Sequence, residues 1–207
     1  MIARWTNIKK ILKGEKGVIA TFGLFGFFIF VGLMLAGGFA TFTQYSNSMD
    51  FCISCHEMES TVYQEYKESH HYKTRVGVRP DCADCHVPYE GWVKMVIHKI
   101  GATRELYYHM TGKIDTREKF EAHRLEMAQT VWDRMKANDS AGCRRCHKVD
   151  AWDYELQKRR SVVQHQEMAE TGETCIDCHK GIAHKAIHEQ LEEEEEFEDF
   201  EAFDDFE

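Results

Sequence analysis

The chain has 207 residues and a formal net charge of -9 at pH 7. This length suits one domain, or one domain together with a membrane segment. The acidic balance argues against a nucleic-acid partner. All eight cysteines fall in four Cys-x-x-Cys-His runs, which leaves none for a disulfide or a separate reactive thiol.

The first predicted element is a transmembrane anchor at residues 18–43. Residues 18–42 are 25 positions without a charge, and about 20 apolar residues span the hydrocarbon core. A cleaved secretory signal would have a shorter apolar region, of about 7–15 residues. Residues 1–17 carry five basic residues and one acid, so the positive-inside rule places them in the cytoplasm. The rest of the chain would lie in the periplasm, held by one helix in the bacterial inner membrane.

The four cysteine runs predict four covalently bound c-type haems. In this pattern two cysteines attach the porphyrin, and the histidine that follows reaches the iron. Zinc ribbons and thioredoxin-like pairs also use Cys-x-x-Cys, but neither explains a histidine after all four second cysteines. The attachment cysteines are Cys52, Cys55, Cys82, Cys85, Cys143, Cys146, Cys175 and Cys178, and the motif histidines are His56, His86, His147 and His179.

The haem domain is predicted at residues 44–188, where four haems share 145 residues. So short a chain cannot build a separate apolar core, and we expect the porphyrins to form it. The expected fold is compact and mostly α, with extensive loops and almost no strands. The motifs form two pairs with internal spacings of 30 and 32 residues, which predicts two dihaem repeats.

The first motif differs from the others, because Met58 follows its histidine by two positions. His56 and Met58 would be tethered to the same face of one porphyrin, so only one of them can bind the iron. Methionine ligation generally raises the potential of a haem compared with histidine. The alternative is that Met58 packs on the porphyrin edge.

Histidines outside the motifs are candidates for the sixth iron ligand. His71 and His165 lie eleven and ten residues before the second motif of their respective pairs, so the repeat predicts the same role for both. His70 competes with His71 for that role. His184, close behind the last motif, is a third candidate.

One long helix is predicted at residues 115–139, between the two pairs of motifs. Asp115 and Glu118 resemble a capping box at its start, and an apolar stripe follows. We expect this helix to brace the two haem pairs, with His123 as a surface or packing residue.

The last element, at residues 189–207, is a tail with twelve acids and no base. Without it, the formal net charge of the chain would change from -9 to +3. Acidic runs of this kind are usually disordered and solvated. Phenylalanines at every third position offer an alternative, in which the tail docks on a partner.

Residues 1 to about 188 resemble the NapC/NirT family of membrane-anchored tetrahaem cytochromes. The resemblance rests on the single anchor, the four motifs in order, and runs such as CISCHEMESTVYQEY, KIGATRELYYH and CIDCHKGIAH, and it is closest to the NapC and NirT branch. It implies a quinol dehydrogenase, which oxidises membrane menaquinol or ubiquinol and passes electrons to a periplasmic reductase. Nitrate reductase is the expected acceptor, and a nitrite or N-/S-oxide reductase is the alternative.

The resemblance also implies roles for individual iron ligands. Met58 matches the methionine that some members use, in place of the motif histidine, at the first haem. His184, His71 and His165 match the distal ligands of the second, third and fourth haems. The acidic tail has no counterpart in the family pattern.

For the quinol site, Lys99 and Glu105 match a lysine and an acid of the family. A lysine could bond the quinol oxygen, and a carboxylate could take a proton. His98 could substitute for Lys99, and the alternative for residues 94–104 is a helix surface that faces lipid headgroups. Two other functions compete with quinol oxidation: a terminal nitrite reductase that acts at an open haem, and a haem carrier without turnover.

Overall fold

Two compact units make up the chain, Met1–Ser46 and Asn47–Glu207. The computed structural model describes residues 2–188, with backbone alone for residues 2–19 and 169. The acidic tail predicted at residues 189–207 lies outside this described part. Within residues 2–188 the secondary structure is helical and contains no strand, as the sequence predicts.

The first unit is one long helix, α1, at Ile2–Ser46. Its segment Ala20–Ser46 has 27 residues and a mean hydropathy of 2.1, and most of its side chains are exposed. By length and composition, a segment of this kind can cross a bilayer. The helix begins well before the predicted anchor because the four lysines, Ala3, Arg4 and Leu12 in residues 2–17 are also good helix formers.

The second unit consists of short helices joined by loops. They are α2 at Met49–Cys52, α3 at His56–Ser60, α4 at Val62–Glu68, α5 at Cys82–His86, α6 at Trp92–Gly101, α7 at Thr103–Met110, α8 at Arg117–Ala122, α9 at Arg124–Ala137, α10 at Ala141–Cys146, α11 at Arg159–Thr171 and α12 at Cys175–Cys178. Two 3-10 turns, Val149–Ala151 and Tyr154–Leu156, lie before α11. Helices this short are unstable alone in water and depend on packing.

The apolar core of the second unit is small. The buried apolar residues in the described part are Tyr66, Ile114, Phe120, Ala141, Ile176 and Ile187. The helices instead surround a cavity of about 440 Å³. A domain with so little apolar burial of its own would be marginal, which agrees with the expectation that the cofactors complete the core.

The single helix predicted at residues 115–139 is wrong, because α8 and α9 replace it. The break falls at His123, whose backbone angles (φ -107°, ψ 4°) leave the helical range. The His123 Nδ1 atom lies 2.9 Å from the carbonyl oxygen of Lys119, one turn earlier. This local hydrogen bond competes with continuation of the helix.

The start of α8 also differs from the prediction. Thr116, and not Asp115, caps the helix by accepting a hydrogen bond from the Lys119 amide at 3.4 Å. The Asp115 carboxylate instead pairs with Lys119 Nζ at 2.8 Å. Thr116 caps the helix because it lies one residue after Asp115, where its hydroxyl reaches the third amide of the helix.

A buried ion pair joins α4 to α9 and to the C-terminal segment. Arg124, which is 6% exposed, donates from Nη1 to Glu65 Oε1 at 2.8 Å and from Nη2 to the second carboxylate oxygen. That second oxygen also accepts the Lys185 amide at 2.8 Å. Burial would raise the pKa of Glu65, but hydrogen bonds from Arg124 and the Lys185 amide lower it overall. The pair therefore holds residue 185, next to the predicted ligand His184, against α4.

Candidate haem-binding site

The first and second motifs lie side by side, on α2 and α5. The two helices are in contact, and the side chains of Cys52 and Cys82 are close enough to interact. The Cys82 Sγ atom also lies 3.2 Å from the Sδ atom of Met49, at the start of α2. Thioether groups at these two positions would therefore be close neighbours.

The second and third motifs pack against each other because residue 142 is glycine. A Cβ atom on Gly142 would meet the carbonyl oxygens of Asp84 and Cys85 at 2.9 Å, closer than real contacts allow. The Arg145 guanidinium then donates to Asp84 Oδ1 at 2.7 Å. Close backbone approach and one ion pair thus join α5 to α10.

The third and fourth motifs are joined through Ser140, which is 1% exposed. Its Oγ atom accepts a hydrogen bond from the backbone amide of Ile176, inside the fourth motif, at 3.1 Å. Lys136 of α9 also donates to Asp177 Oδ1 at 2.9 Å. The four motifs are therefore neighbours in chain order: first with second, second with third, and third with fourth.

One cavity connects residues of all four motifs. Among the residues that line it are six of the eight attachment cysteines and seven of the eight predicted iron ligands: Met58, His71, His86, His147, His165, His179 and His184. The predicted ligand missing from its wall is His56. A second cavity of about 240 Å³ adjoins Cys175 and Cys178 of the fourth motif.

Three pairs of histidine rings lie together in the wall of the main cavity. The distances between ring centroids are 6.2 Å for His71 and His147, 6.2 Å for His86 and His184, and 6.1 Å for His165 and His179. Metal–imidazole bonds are about 2 Å long, so each gap suits one iron between two ring nitrogens. The described residues therefore fit c-type haem. They form no group of three or more His, Cys, Asp or Glu of the kind that holds zinc.

The two histidines that the repeat relates do not occupy equivalent positions. His71 pairs with a ring of the other pair of motifs, the third, whereas His165 pairs with the fourth motif of its own pair. Both still face a motif histidine, so the prediction that both are distal ligands stands as a prediction, with one acting on the other pair of motifs and one on its own. His70, the competitor of His71, is exposed and does not line the cavity.

The protein around four of the six paired rings favours neutral imidazole. Desolvation lowers the pKa of His86 to about 4 and, more moderately, lowers the pKa values of His71, His179 and His184. His86 still has solvent-accessible surface, because its ring lines the cavity. Neutral imidazole is the form that binds a metal.

Hydrogen bonds orient two of the distal rings. The His165 Nδ1 atom lies 2.7 Å from Gln157 Oε1, and the Trp152 ring packs on His165 with centroids 4.6 Å apart. The His184 Nδ1 atom lies 3.2 Å from the carbonyl oxygen of Val62. Bonds at Nδ1 fix the tautomer and leave Nε2 for a metal.

The first motif departs from this arrangement. The His56 Nε2 atom lies 2.9 Å from the carbonyl oxygen of Asp115. A carbonyl only accepts hydrogen bonds, so this nitrogen carries hydrogen and has no lone pair for iron. Met58, in contrast, reaches the cavity.

The two predicted quinol-site residues have different surroundings. Lys99 lies near the first motif, close enough for its charge to act on the Cys52 side chain. Glu105 lies next to two guanidinium groups, with Oε1 at 3.3 Å from Arg104 and 3.9 Å from Arg134. Its Oε2 atom is buried and has no hydrogen-bond partner in the described part of the chain.

Sequence reasoning missed the groups that orient two of the motif and distal histidines. Glu57 is 4% exposed and contacts His56 and His109, and Gln157 holds the ring of His165. The only local signal for Glu57 was its position between His56 and Met58. No local signal indicated His109 or Gln157, because the partner of His109, Glu57, is 52 positions away, and the partner of Gln157, His165, is eight positions away on the following helix.

A model of the NapC/NirT cytochrome c family, N-terminal region, matches residues 15–189. The chain belongs to the NapC/NirT cytochrome c family. Cytochrome c-type protein NapC of Escherichia coli (strain K12) is 53% identical to it over 154 residues, which cover 74% of this chain and 76% of that protein. Denitrification system component NirT of Stutzerimonas stutzeri is 47% identical over 167 residues, 81% of this chain and 83% of that protein.

Cytochrome c-type protein TorY of Escherichia coli O157:H7 is 43% identical over 162 residues, which cover 76% of this chain and 44% of TorY. No solved structure matches the chain. Membership of the NapC/NirT family confirms the resemblance described above. It makes the chain an electron-transport cytochrome with covalently bound c-type haem, and its apolar N-terminal helix is consistent with a single membrane anchor.

Proposed function

We propose that this NapC/NirT family member oxidises membrane quinol and passes the electrons to a soluble periplasmic reductase. The observation that carries the proposal is the neighbour order of the four motifs around one cavity. When bound, c-type haem supplies an iron that accepts and releases one electron. A row of such groups suits a relay between two separate partners better than it suits a single catalytic pocket.

The chain holds four haems in this proposal, one at each motif. The three histidine pairs described above bind three of the irons from both sides. Met58 binds the iron at the first motif, where His56 is engaged elsewhere. A methionine ligand raises the potential there compared with a histidine, which favours electron uptake from quinol at this end of the row.

An exposed apolar face on α6 and α7 suits contact with lipid. Trp92, Ile97, Ile100 and Tyr107 are 67%, 64%, 64% and 62% exposed. Large exposed apolar patches mark interaction sites, and tryptophan and tyrosine are enriched at membrane interfaces. Lys99 lies on the same helix, so quinol that leaves the bilayer would reach the first motif beside it.

Lys99 and Glu105 have distinct roles at this quinol site. Burial lowers the pKa of Lys99, which indicates an ammonium group partly shielded from water that can donate to a quinol oxygen. The Oε2 atom of Glu105 is the proton acceptor we propose, because it lacks a partner in the described part. The basic residues of segment 1–17 support the proposal that the haem unit lies in the periplasm, by the positive-inside rule.

Periplasmic nitrate reductase is the electron acceptor that we propose. The support is the identity of 53% to a protein named NapC, together with the relation to a denitrification component. A nitrite or N-/S-oxide reductase is the alternative, since TorY is also related.

Lys99→Gln tests the proposal in the full-length protein, reconstituted in liposomes that contain menaquinol or ubiquinol. We expect quinol-dependent haem reduction to slow by at least about tenfold, while dithionite still reduces all haems. Lys94→Gln is the matched control, because Lys94 lies on the same helix and pairs with Glu90. Equal rates for Lys99→Gln and the unmodified protein would contradict the site, and reduction of nitrite by the isolated protein would favour a terminal reductase.

A further inference from the structure

The backbone of the first motif differs from that of the other three. In the second, third and fourth motifs, both cysteines lie on one helix, and the histidine ends that helix or caps it. The His147 amide donates to the Cys143 carbonyl, and the His179 amide to the Cys175 carbonyl, both at 2.9 Å. In the first motif, α2 ends at its first cysteine, and α3 begins only at the histidine.

The backbone of the first motif departs from the helical geometry of the other three motifs at Cys55. This residue is extended (φ -82°, ψ 125°) and precedes α3 instead of lying on a helix with Cys52. The same five-residue pattern therefore presents its histidine in a different direction. Since the covalent pattern is identical, contacts from outside the five-residue motif hold His56 in this position.

Those contacts come from three groups. The backbone carbonyl of Asp115 accepts from His56 Nε2 at 2.9 Å. One carboxylate oxygen of Glu57 lies 3.4 Å from His56 Nδ1, and the other contacts His109 Nδ1. The His109 ring packs edge-on against His56, with centroids 6.0 Å apart.

The pair His56 and His109 has a centroid distance similar to that of the other three histidine pairs, but a different location. Neither His56 nor His109 lines the main cavity. The carboxylate of Glu57, at 4% exposure, joins the two rings from one side. A buried carboxylate needs such partners, because an unpaired one is costly to desolvate.

We propose that Glu57, His109 and the Asp115 carbonyl form a clamp that holds His56 away from the iron at the first motif. With His56 held away, Met58 is the side chain of the pair His56 and Met58 that binds this iron. Glu57 and His109 are therefore positioning residues, which act on the ligand set through His56. The inference rests on the ligation by Met58 proposed above and adds what enforces it.

His109→Leu and His109→Gln test the clamp in the full-length, oxidised protein, by near-infrared magnetic circular dichroism. Glutamine keeps a donor toward Glu57, so His109→Gln retains the methionine-ligated signal. Leucine removes the donor, so in His109→Leu we expect loss of that signal and gain of a bis-histidine or histidine-only signal. His123→Leu is the matched control, because His123 lies outside the clamp and bonds to Lys119.

The clamp would be overturned if both His109 variants kept the methionine-ligated signal, or if both lost it. Haem content, measured as the pyridine haemochrome, shows whether each variant carries its full set of haems. Met58→Leu provides the reference spectrum without methionine ligation, and an unchanged spectrum in that variant would remove both the Met58 assignment and the clamp. Because no quinol is present, these results are independent of the liposome assay that tests quinol oxidation.

Discussion

His71 and His147 lie with ring centroids 6.2 Å apart, although His71 precedes the second motif and His147 belongs to the third. The contact joins the first pair of motifs to the second pair. In the proposed ligand set, His71 from the first pair of motifs binds the iron at a motif of the second pair. The two halves cannot assemble their sites independently if this pairing holds an iron.

Replacement of His71 should leave one iron with a single histidine ligand. His71→Ala is expected to convert one haem from low spin to high spin, because the ring opposite His147 is gone. Electron paramagnetic resonance of the oxidised protein measures this change. His70→Ala is the control, since His70 is exposed. A high-spin signal in His70→Ala, and not in His71→Ala, would show that His70 is the ligand.

Gly142 should resist even a small side chain. Gly142→Ala places a methyl group 2.9 Å from two carbonyl oxygens of α5, and we expect a loss of about 1–3 kcal/mol in the free energy of unfolding. Thermal unfolding followed by circular dichroism measures it. Gly101→Ala, at a helical position with no atom within 4 Å, should be neutral or slightly stabilising. Similar effects of the two changes would argue against close packing of α5 on α10.

Arg124→Leu should destabilise the haem unit by about 3 kcal/mol, because it leaves the Glu65 carboxylate without its main partner in a poorly solvated place. Chemical denaturation gives the free energy. Glu65→Gln together with Arg124→Leu should recover part of the loss, since the less solvated of the two carboxylates that Arg124 contacts is then neutral, and the other, Glu121, is exposed to water. A double variant as unstable as the single one would indicate that Arg124 acts through packing and not through charge.

Gln157→Leu should raise the reduction potential of one haem. The amide oxygen of Gln157 accepts from His165 Nδ1, which makes the ring a stronger electron donor to its metal. Loss of that bond weakens the donation and favours the reduced iron. Spectroelectrochemical titration resolves the change, and Gln166→Leu, at an exposed position of the helix that carries His165, is the control. A full set of unchanged potentials would show that Gln157 does not tune this site.

Short-range features of the protein could be read from consecutive residues. The Cys-x-x-Cys-His runs and the apolar segment are of this kind, because covalent attachment and membrane spanning depend on spacing and length within a few turns of chain. The helix predicted at residues 115–139 failed at His123 because a side chain competed with the backbone for a hydrogen bond, which helical periodicity does not register.

The sequence by itself therefore determined which cysteine runs have the spacing that attaches haem and which segment is apolar enough for a membrane. Only the tertiary structure decided which histidines face each other, and that His56 turns toward Asp115 while Met58 turns toward the cavity. The physical reason is that these contacts join residues tens of positions apart. Their formation depends on how α5, α10 and the C-terminal segment pack, which no local pattern encodes.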